Sequence, residues 1–251
     1  MINLKTENWI INDIETVFID KDGTFIDLHY FWGKITELRC KELILRKNLN
    51  SQLMNDLCLL LGYNRQTGKM LSDGITALYS RSKIIELFQD SLSKNNIIIS
   101  QNELTEIFDD VTKEFNKDIT KYVKPINSAI EFIQKLKKHN IKIGVITSDS
   151  EISTNLIIEK FKWQHLFDVI IGRESSKQTK ESGALTKIAI KKLETTPKNC
   201  VMIGDAPMDV FSANNANVNN VILVTTGQID KIELSQYSTY VVDSLEEVEI
   251  I

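Results

Sequence analysis

Two aspartates separated by one lysine follow an apolar run near the start of the chain, in V-F-I-D-K-D-G-T, residues 17–24. The apolar run is typical of a strand buried on both faces, as in a parallel sheet. Because alternate residues of a strand share a face, Asp20 and Asp22 would point the same way and Lys21 would turn away. Two like charges at the end of a buried strand are costly unless a cation or a catalytic task holds them. The alternative is a solvated strand end that meets a turn, since Asp and Gly are ordinary turn residues.

The composition is that of a globular protein and excludes several functional classes. The 251 residues are 42% hydrophobic and 25% charged, and they are enough to bury a sizeable core. A net charge of −4 argues against a nucleic-acid partner, which would require a strong basic bias. We see neither a signal peptide nor an apolar run of the about 18 residues that a membrane span needs. The cysteines lack metal-ligand spacing, so we expect reduced thiols, a cytoplasmic location and no membrane partner.

After residue 120 the chain alternates between strand and helix patterns. The apolar runs predicted as strands are residues 141–146, 167–171, 200–203 and 221–224. The helical patterns start at Pro125 and continue at residues 153–161, 184–193 and 208–215. Repeated βα units of this kind predict an α/β fold, a Rossmann-like parallel sheet core covered by helices.

The stretch between residues 30 and 121 has a different pattern. It shows long helical periodicities at residues 31–46, 80–91 and 103–115 and no strand series. The simplest account is an all-helical domain inserted after the first strand. We therefore predict a core domain made of residues 1–28 and 122–251, and an inserted all-helical domain of residues 29–121.

One motif in the insert resembles a phosphate-binding P-loop but does not match it. In G-Y-N-R-Q-T-G-K-M, residues 62–70, the glycines are one residue too far apart. Met70 stands where Ser or Thr should hold magnesium, and no strand precedes the motif. We interpret residues 62–74 as a loop between helices.

Polar residues follow the ends of the predicted strands. The carboxyl ends of parallel strands meet at one edge of the sheet, and ligands bind outside that edge. A lysine from residues 175–181 would add a cation to the carboxylates and hydroxyls there. Such an acid cluster suits Mg²⁺, which binds one or two carboxylates together with waters and substrate phosphate. The residues that we expect to converge are Asp20, Asp22, Thr147, Ser148, Asp149, Asp205 and Asp209.

These motifs together resemble the haloacid dehalogenase superfamily, in particular its magnesium-dependent, phosphoglycolate phosphatase-like members with a helical cap. D-K-D-G-T at residues 20–24 is similar to the first motif of the family. V-I-T-S-D places Thr147 as the second motif, and G-D-A-P-M-D places Asp205 and Asp209 as the fourth. The resemblance covers nearly the whole chain.

The third motif is imperfect. The family usually has a lysine followed by proline, whereas Lys180 is followed by Glu181. The usual spacing back from the fourth motif favours Lys180, and Lys177 stays an alternative.

The resemblance implies hydrolysis of a phosphate ester through an aspartyl-phosphate. Asp20 would be the nucleophile, and Asp22 would be the general acid and then the general base. Mg²⁺ would be held by Asp20, the backbone carbonyl of Asp22 and Asp205, with Asp209 in support.

The resemblance also implies how phosphate would be bound. Thr147 and the amides that follow it, beginning with Ser148, would bind phosphate oxygens at a helix start. Lys180 would neutralise their charge. Thr24 would fix Asp22 on the substrate side.

The expected activity is a Mg²⁺-dependent phosphatase, and two alternatives differ from it. A phosphomutase is less consistent with the sequence, because mutases of this family usually have another residue at the position of Thr24. A non-catalytic binding or regulatory protein that kept the fold would be expected to have lost some of the acids. The substrate would be a small phosphorylated metabolite, with phosphoglycolate, a sugar phosphate and a nucleotide all compatible.

Overall fold

The computed structural model describes the whole chain, Met1 to Ile251, and divides into two compact units. The core unit comprises Met1–Asp27 and Pro125–Ile251, and the helical unit comprises Leu28–Lys124. In chain order the strands are β1 (Ile2–Lys5), β2 (Ile10–Ile14), β3 (Thr16–Ile19), β4 (Tyr63–Asn64), β5 (Lys69–Met70), β6 (Lys142–Ile146), β7 (Val169–Ile171), β8 (Cys200–Gly204), β9 (Asn220–Val224), β10 (Tyr240–Val242) and β11 (Glu249–Ile250). The helices are α1 (Leu28–Arg46), α2 (Met54–Leu60), α3 (Ile75–Leu78), α4 (Arg81–Lys94), α5 (Gln101–Lys117), α6 (Asn127–Lys138), α7 (Glu151–Lys160), α8 (Ala184–Lys192), α9 (Pro207–Asn214) and α10 (Lys231–Leu234).

The core unit is built on a six-stranded parallel sheet with the order β10-β9-β8-β3-β6-β7. Strand β3 lies inside the sheet and pairs with β8 on one side and β6 on the other, so Ile19 lies beside both Ile203 and Val145. All residues of β3 and β8 are buried. Full burial is what a parallel sheet covered by helices requires, and it explains why these strands are unbroken apolar runs. The predicted Rossmann-like α/β core is confirmed.

Helices α8 and α9 cover the sheet with small and branched side chains. Leu185 and Ala189 of α8 and Ala213 of α9 are buried in one cluster with Phe18 and Met202 of the sheet. This packing fixes the starts of both helices against the carboxyl ends of the strands.

A small antiparallel sheet joins the two ends of the chain, in the order β11-β1-β2. Leu4 of β1 pairs with Ile250 of β11 and with Ile11 of β2. This sheet was not predicted from the sequence, because its strands are short and β2 carries the polar pair Asn12 and Asp13.

The helical unit consists mainly of α1, α2, α4 and α5. Helix α5 has a capping box, in which Ser100 and Glu103 each bond to the backbone amide of the other. Residues 62–74, which we expected to form a loop, contain the ladder of β4 with β5, and Asn64 Oδ1 accepts bonds from Gln66 N and Thr67 N in its turn. No helix of the protein combines the length and the apolar character that crossing a bilayer requires.

Candidate active site

Backbone hydrogen bonds of the sheet continue beyond β3 and β6 and fix the first polar residue after each of these two strands. Asp20 N donates to Ile203 O at 2.9 Å, and Thr147 N donates to Ile171 O at 3.0 Å. The main chain of both residues is therefore part of the sheet. Their side chains start from fixed points at its carboxyl edge.

A tight turn follows Asp20. Ile26 N donates to Lys21 O at 3.0 Å, and Gly23 N donates to Ile26 O at 2.8 Å. Gly23 has a φ of +86°, and a Cβ atom there would lie 2.2 Å from Asp205 Oδ2. Glycine is needed both for the backbone conformation and for the close approach of Asp205.

Three buried carboxylates converge at this edge, from Asp20 after β3, Asp205 after β8 and Asp209 in the first turn of α9. One oxygen of each lies within 4.8 Å of those of the other two. Asp209 is held by its position at the helix start, where its Oδ2 accepts a hydrogen bond from Ala206 N at 3.2 Å. The carboxyl ends of β3 and β8 thus bring together acids from two separate parts of the chain.

Lys180 supplies the cation of this cluster. Its Nζ lies 2.5 Å from Asp20 Oδ1 and 2.6 Å from Asp209 Oδ1, and its side chain is buried. Lys177, the alternative, is exposed.

The turn that carries Lys180 closes without the usual proline. Lys180–Ser182 form a 3₁₀ turn that ends at Gly183, whose φ is +77°. A Cβ atom on Gly183 would lie 2.8 Å from Asn215, and the side chain of Asn215 donates to the carbonyl of Glu181 at 2.8 Å. Glu181 is exposed and takes part in this turn through its backbone.

Burial and mutual repulsion perturb the acids of the cluster. Burial, followed by the charges of Asp20 and Asp209, raises the pKa of Asp205 well above its usual range. Burial also raises the pKa of Asp209, to about 6, although the nearby Lys180 opposes this shift. The carboxylates together outnumber the positive charge that Lys180 provides, so the cluster favours an additional cation.

Asp22 belongs to a second charged group. Lys21 Nζ lies 2.7 Å from Asp22 Oδ1 and 3.1 Å from Asp149 Oδ2. Burial raises the pKa of Asp22 to about 6, with Lys21 opposing and Asp149 and Asp20 adding to the shift. The expectation that Lys21 turns away from Asp22 is wrong, because β3 ends at Ile19 and strand alternation does not continue into the turn.

The hydroxyl residues have different surroundings. Thr147 is buried, and its Oγ1 accepts a hydrogen bond from Asp149 N at 3.0 Å. Ser148 is exposed, and its hydroxyl contacts Met208 Sδ at 3.2 Å. Thr24 was expected to fix Asp22, whereas its Oγ1 lies 3.5 Å from Asp205 Oδ1.

Two residues near the acid cluster that follow β9 were not predicted from the sequence. Thr226 Oγ1 donates to Gly23 O at 2.5 Å, and a Cβ atom on Gly227 would lie 1.8 Å from Asp205 Oδ2. Both therefore pack around the turn after β3 and the acid cluster. They could have been found by applying to β9 the same rule of strand ends that identified Asp205.

The acid cluster fits a hard divalent cation such as Mg²⁺. Its donors are carboxylate oxygens, which Mg²⁺ prefers over nitrogen or sulfur. Repulsion among the buried Asp20, Asp205 and Asp209 would be relieved by a cation placed between them.

Comparisons with known proteins agree with this architecture. A model of the family "Haloacid dehalogenase-like hydrolase" matches residues 61–223, more than half of the chain. The pyrophosphatase PpaX of Bacillus thuringiensis (strain Al Hakam) is 22% identical over 149 residues, which cover 59% of this chain and 68% of that protein.

Solved structures share the fold at low sequence identity. A predicted phosphoglycolate phosphatase from Haemophilus somnus 129pt superposes with a TM-score of 0.72 at 17% identity, covering 94% of this chain and 96% of that one. A predicted phosphatase from Clostridium acetobutylicum gives a TM-score of 0.62 at 20% identity, with coverage of 94% and 96%. The family match confirms both the resemblance found in the sequence motifs and the hydrolase class of the enzyme: the chain belongs to the haloacid dehalogenase-like hydrolases.

Proposed function

We propose that the protein is a Mg²⁺-dependent phosphatase that hydrolyses a small phosphorylated metabolite through an aspartyl-phosphate. The observation that carries the proposal is the placement of Lys180 Nζ between Asp20 and Asp209 within a buried acid cluster at the carboxyl edge of the sheet. An anionic nucleophile, a cation for phosphate oxygens and a set of oxygen donors for a metal are thereby combined in one place.

Asp20 is the nucleophile in this proposal. Its backbone amide donates a hydrogen bond to Ile203 of β8, and its Oδ1 accepts one from Lys180 Nζ. Oδ2 is therefore the oxygen available for attack on phosphorus. As the new Oδ2–P bond forms, the bond between phosphorus and the ester oxygen breaks. The leaving oxygen takes a proton from Asp22.

The second half of the reaction releases phosphate. Asp22, now ionised, accepts a proton from a water molecule as that water attacks the phosphorus of the aspartyl-phosphate. The bond between phosphorus and Asp20 Oδ2 breaks, which restores the carboxylate and frees inorganic phosphate. Asp22 is protonated again at the end of the cycle.

The metal would be held by the carboxylates of Asp20 and Asp205 and by the backbone carbonyl of Asp22, with Asp209 in support. When bound, Mg²⁺ supplies positive charge that offsets the repulsion between the anionic nucleophile and the anionic phosphate. Thr24 supports this arrangement through its contact with Asp205.

Phosphate oxygens would be bound by Thr147, Ser148 and Lys180. Ser148 lies in the turn before α7, at the amino end of that helix, where backbone amides suit an anion. The buried ammonium of Lys180 neutralises the phosphoryl charge in the ground state and in the transition state.

The helical unit, Leu28–Lys124, is in this proposal the cap that selects the substrate. The names of the similar proteins suggest two compounds for a first test, pyrophosphate and phosphoglycolate. Sugar phosphates and nucleotides complete the set of small phosphorylated metabolites that the site chemistry would accept.

The experiment is a measurement of phosphate release from a panel of these compounds, with Mg²⁺ and with EDTA. We expect release from at least one compound that requires Mg²⁺ and is abolished in Asp20→Asn, because an amide is neither a nucleophile nor a good metal ligand. Full turnover in EDTA, or by the variant, would contradict the mechanism. A phosphomutase would instead convert a sugar monophosphate into its isomer without releasing phosphate, which separation of the products detects.

A further inference from the structure

A buried ion pair beside the site has no part in the reaction described above. The side chain of Lys21 is 0% exposed and that of Asp149 is 9% exposed, and Nζ lies 3.1 Å from Asp149 Oδ2. A hydrophobic pair of similar volume is often as stable as a buried ion pair, or more stable. Stability alone therefore does not account for charged residues at these two positions.

Each member of the pair is attached to a rigid turn. The carbonyl of Lys21 accepts hydrogen bonds from Phe25 N at 3.1 Å and Ile26 N at 3.0 Å. Asp149 is held at both ends, since its Oδ1 accepts from Ser150 N at 2.7 Å and its amide donates to Thr147 Oγ1 at 3.0 Å. The ion pair thus links the turn after β3 to the turn after β6.

The ammonium of Lys21 also holds Asp22. Nζ lies 2.7 Å from Asp22 Oδ1, while the Asp22 side chain keeps 14% of its surface exposed. The terminal torsion of an aspartate is broad and roughly two-fold, so a carboxylate has no single orientation of its own. A bond from Lys21 to Oδ1 selects one orientation and leaves Oδ2 to exchange a proton.

We propose that Lys21 and Asp149 are positioning residues for Asp22: Lys21 orients the carboxylate directly, and Asp149 acts by holding Lys21. This inference rests on the proposed function, in which Asp22 is the general acid and base. Because a misplacement of about 1 Å can cost about 100-fold in rate, loss of the pair should impair the proton transfer while the nucleophile stays intact.

The test compares two leaving groups. p-Nitrophenolate leaves with little help from an acid, whereas the alkoxide of glycerol 2-phosphate or phosphoglycolate requires a proton. The quantity measured is the ratio of kcat/KM for p-nitrophenyl phosphate to kcat/KM for whichever of the two alkyl phosphates the wild type hydrolyses faster. The variants are Asp22→Asn, the double variant Lys21→Met with Asp149→Asn, and the triple variant that combines all three changes.

The double variant removes one positive and one negative charge, so the net charge is kept. We expect it to raise the ratio about 10- to 100-fold, since the positioning of the acid is lost. The triple variant should show the same ratio as Asp22→Asn, because residues that act through one group are not additive. Additive effects in the triple variant would show that the pair acts by another route and would overturn the inference.

A second, more exposed ion pair of the core unit is the control. Lys137 Nζ lies 2.8 Å from Asp168 Oδ2, and Asp168 directly precedes β7, at the opposite edge of the sheet from the site. Lys137→Met with Asp168→Asn should leave the ratio unchanged. If the ratio rose as much as in the Lys21 and Asp149 double variant, loss of any ion pair of the core unit would have the same effect. That result would contradict the inference.

A single variant covers the case in which the double variant does not fold. Asp149→Asn keeps the shape of the side chain and the bond between Lys21 and Asp22, and it should raise the ratio by a smaller factor. If the double variant folds and its ratio is unchanged, the positioning inference is overturned and the proposed role of Asp22 stands. If the double variant does not fold, an unchanged ratio in Asp149→Asn has the same meaning. An unchanged ratio in Asp22→Asn overturns the proposed role of Asp22 itself.

Discussion

The Nζ atom of Lys180 lies 2.5 Å from Oδ1 of Asp20, across 160 residues of sequence. The bond joins the turn before α8 to the end of β3, an interior strand of the sheet. Because Nζ also lies 2.6 Å from Asp209 Oδ1, one buried ammonium holds two of the three converging carboxylates. A phosphate group that approaches Asp20 would meet this ammonium at the same point.

Lys180→Met should abolish most of the activity, because it removes the ammonium. The variant keeps an unbranched apolar side chain of nearly the same length, so the loss of charge is the main change. We expect kcat/KM to fall about 100- to 1,000-fold, the usual effect of removing one group that stabilises transition-state charge. Both KM and kcat should change, since a cation on phosphate oxygens acts in both the ground and the transition state. Steady-state kinetics on the best compound of the panel measures this.

Lys177→Met is the matched control for Lys180→Met. Lys177 is exposed three residues earlier in the same segment, so its replacement should leave kcat and KM close to the wild-type values. A severe loss in Lys177→Met together with a mild effect in Lys180→Met would show that the phosphate-binding lysine has been assigned to the wrong residue.

Asp22→Asn should separate the two halves of the reaction. With p-nitrophenyl phosphate the first half needs little help from an acid, so Asp20 should still be phosphorylated. The second half needs a base, which is typically worth about 10²- to 10⁴-fold, so breakdown of the aspartyl-phosphate should become limiting. Rapid-mixing kinetics should show a burst of roughly one p-nitrophenol per site, followed by a slow steady rate.

An alkyl phosphate provides the control for the Asp22→Asn burst. Its alkoxide leaves poorly without a proton, so the variant should lose even the burst of alcohol release. Steady turnover at the wild-type rate on both compounds would show that Asp22 is not the acid and base.

The central part of the fold could be predicted because burial leaves a simple pattern in the sequence. Strands β3 and β8 are buried on both faces, so they are unbroken apolar runs, and the first polar residue after each, Asp20 and Asp205, is at the site. The family model matches residues 61–223 and so starts after Asp20, and the assignment of residues 20–24 as the first motif of the family stays a prediction.

Other features depend on contacts that no local pattern encodes. The pairing of Leu4 with Ile250 joins opposite ends of the chain, and its strands are too short to show periodicity. The pairing of Lys21 with Asp149 connects turns after two different strands, which are brought together only by the order of the sheet. Lys180 could be favoured by spacing, but its bonds to Asp20 and Asp209 follow from the three-dimensional structure.

Ser100→Ala should destabilise the helical unit without affecting the chemistry. Ser100 caps α5 through a reciprocal capping box with Glu103, and loss of such a cap typically costs about 1 kcal/mol of the free energy of unfolding. Urea unfolding followed by circular dichroism measures the change. Ser93→Ala, at an exposed position near the end of α4, is the control and should change the free energy of unfolding little; equal effects would argue against the capping box.

Gly227→Ala should displace Asp205 and so weaken both metal binding and catalysis. A Cβ atom at residue 227 would lie 1.8 Å from Asp205 Oδ2, and the carboxylate must move because overpacking at a buried site is not absorbed without shifts. We expect kcat to fall at least about tenfold, by analogy with other small misplacements of catalytic groups, and the Mg²⁺ concentration for half-maximal activity to rise. Gly68→Ala is the control, since a Cβ atom there meets nothing within 4 Å and only its φ of +68° is unfavourable. Wild-type kcat and Mg²⁺ dependence in Gly227→Ala would show that Asp205 does not need this position to act.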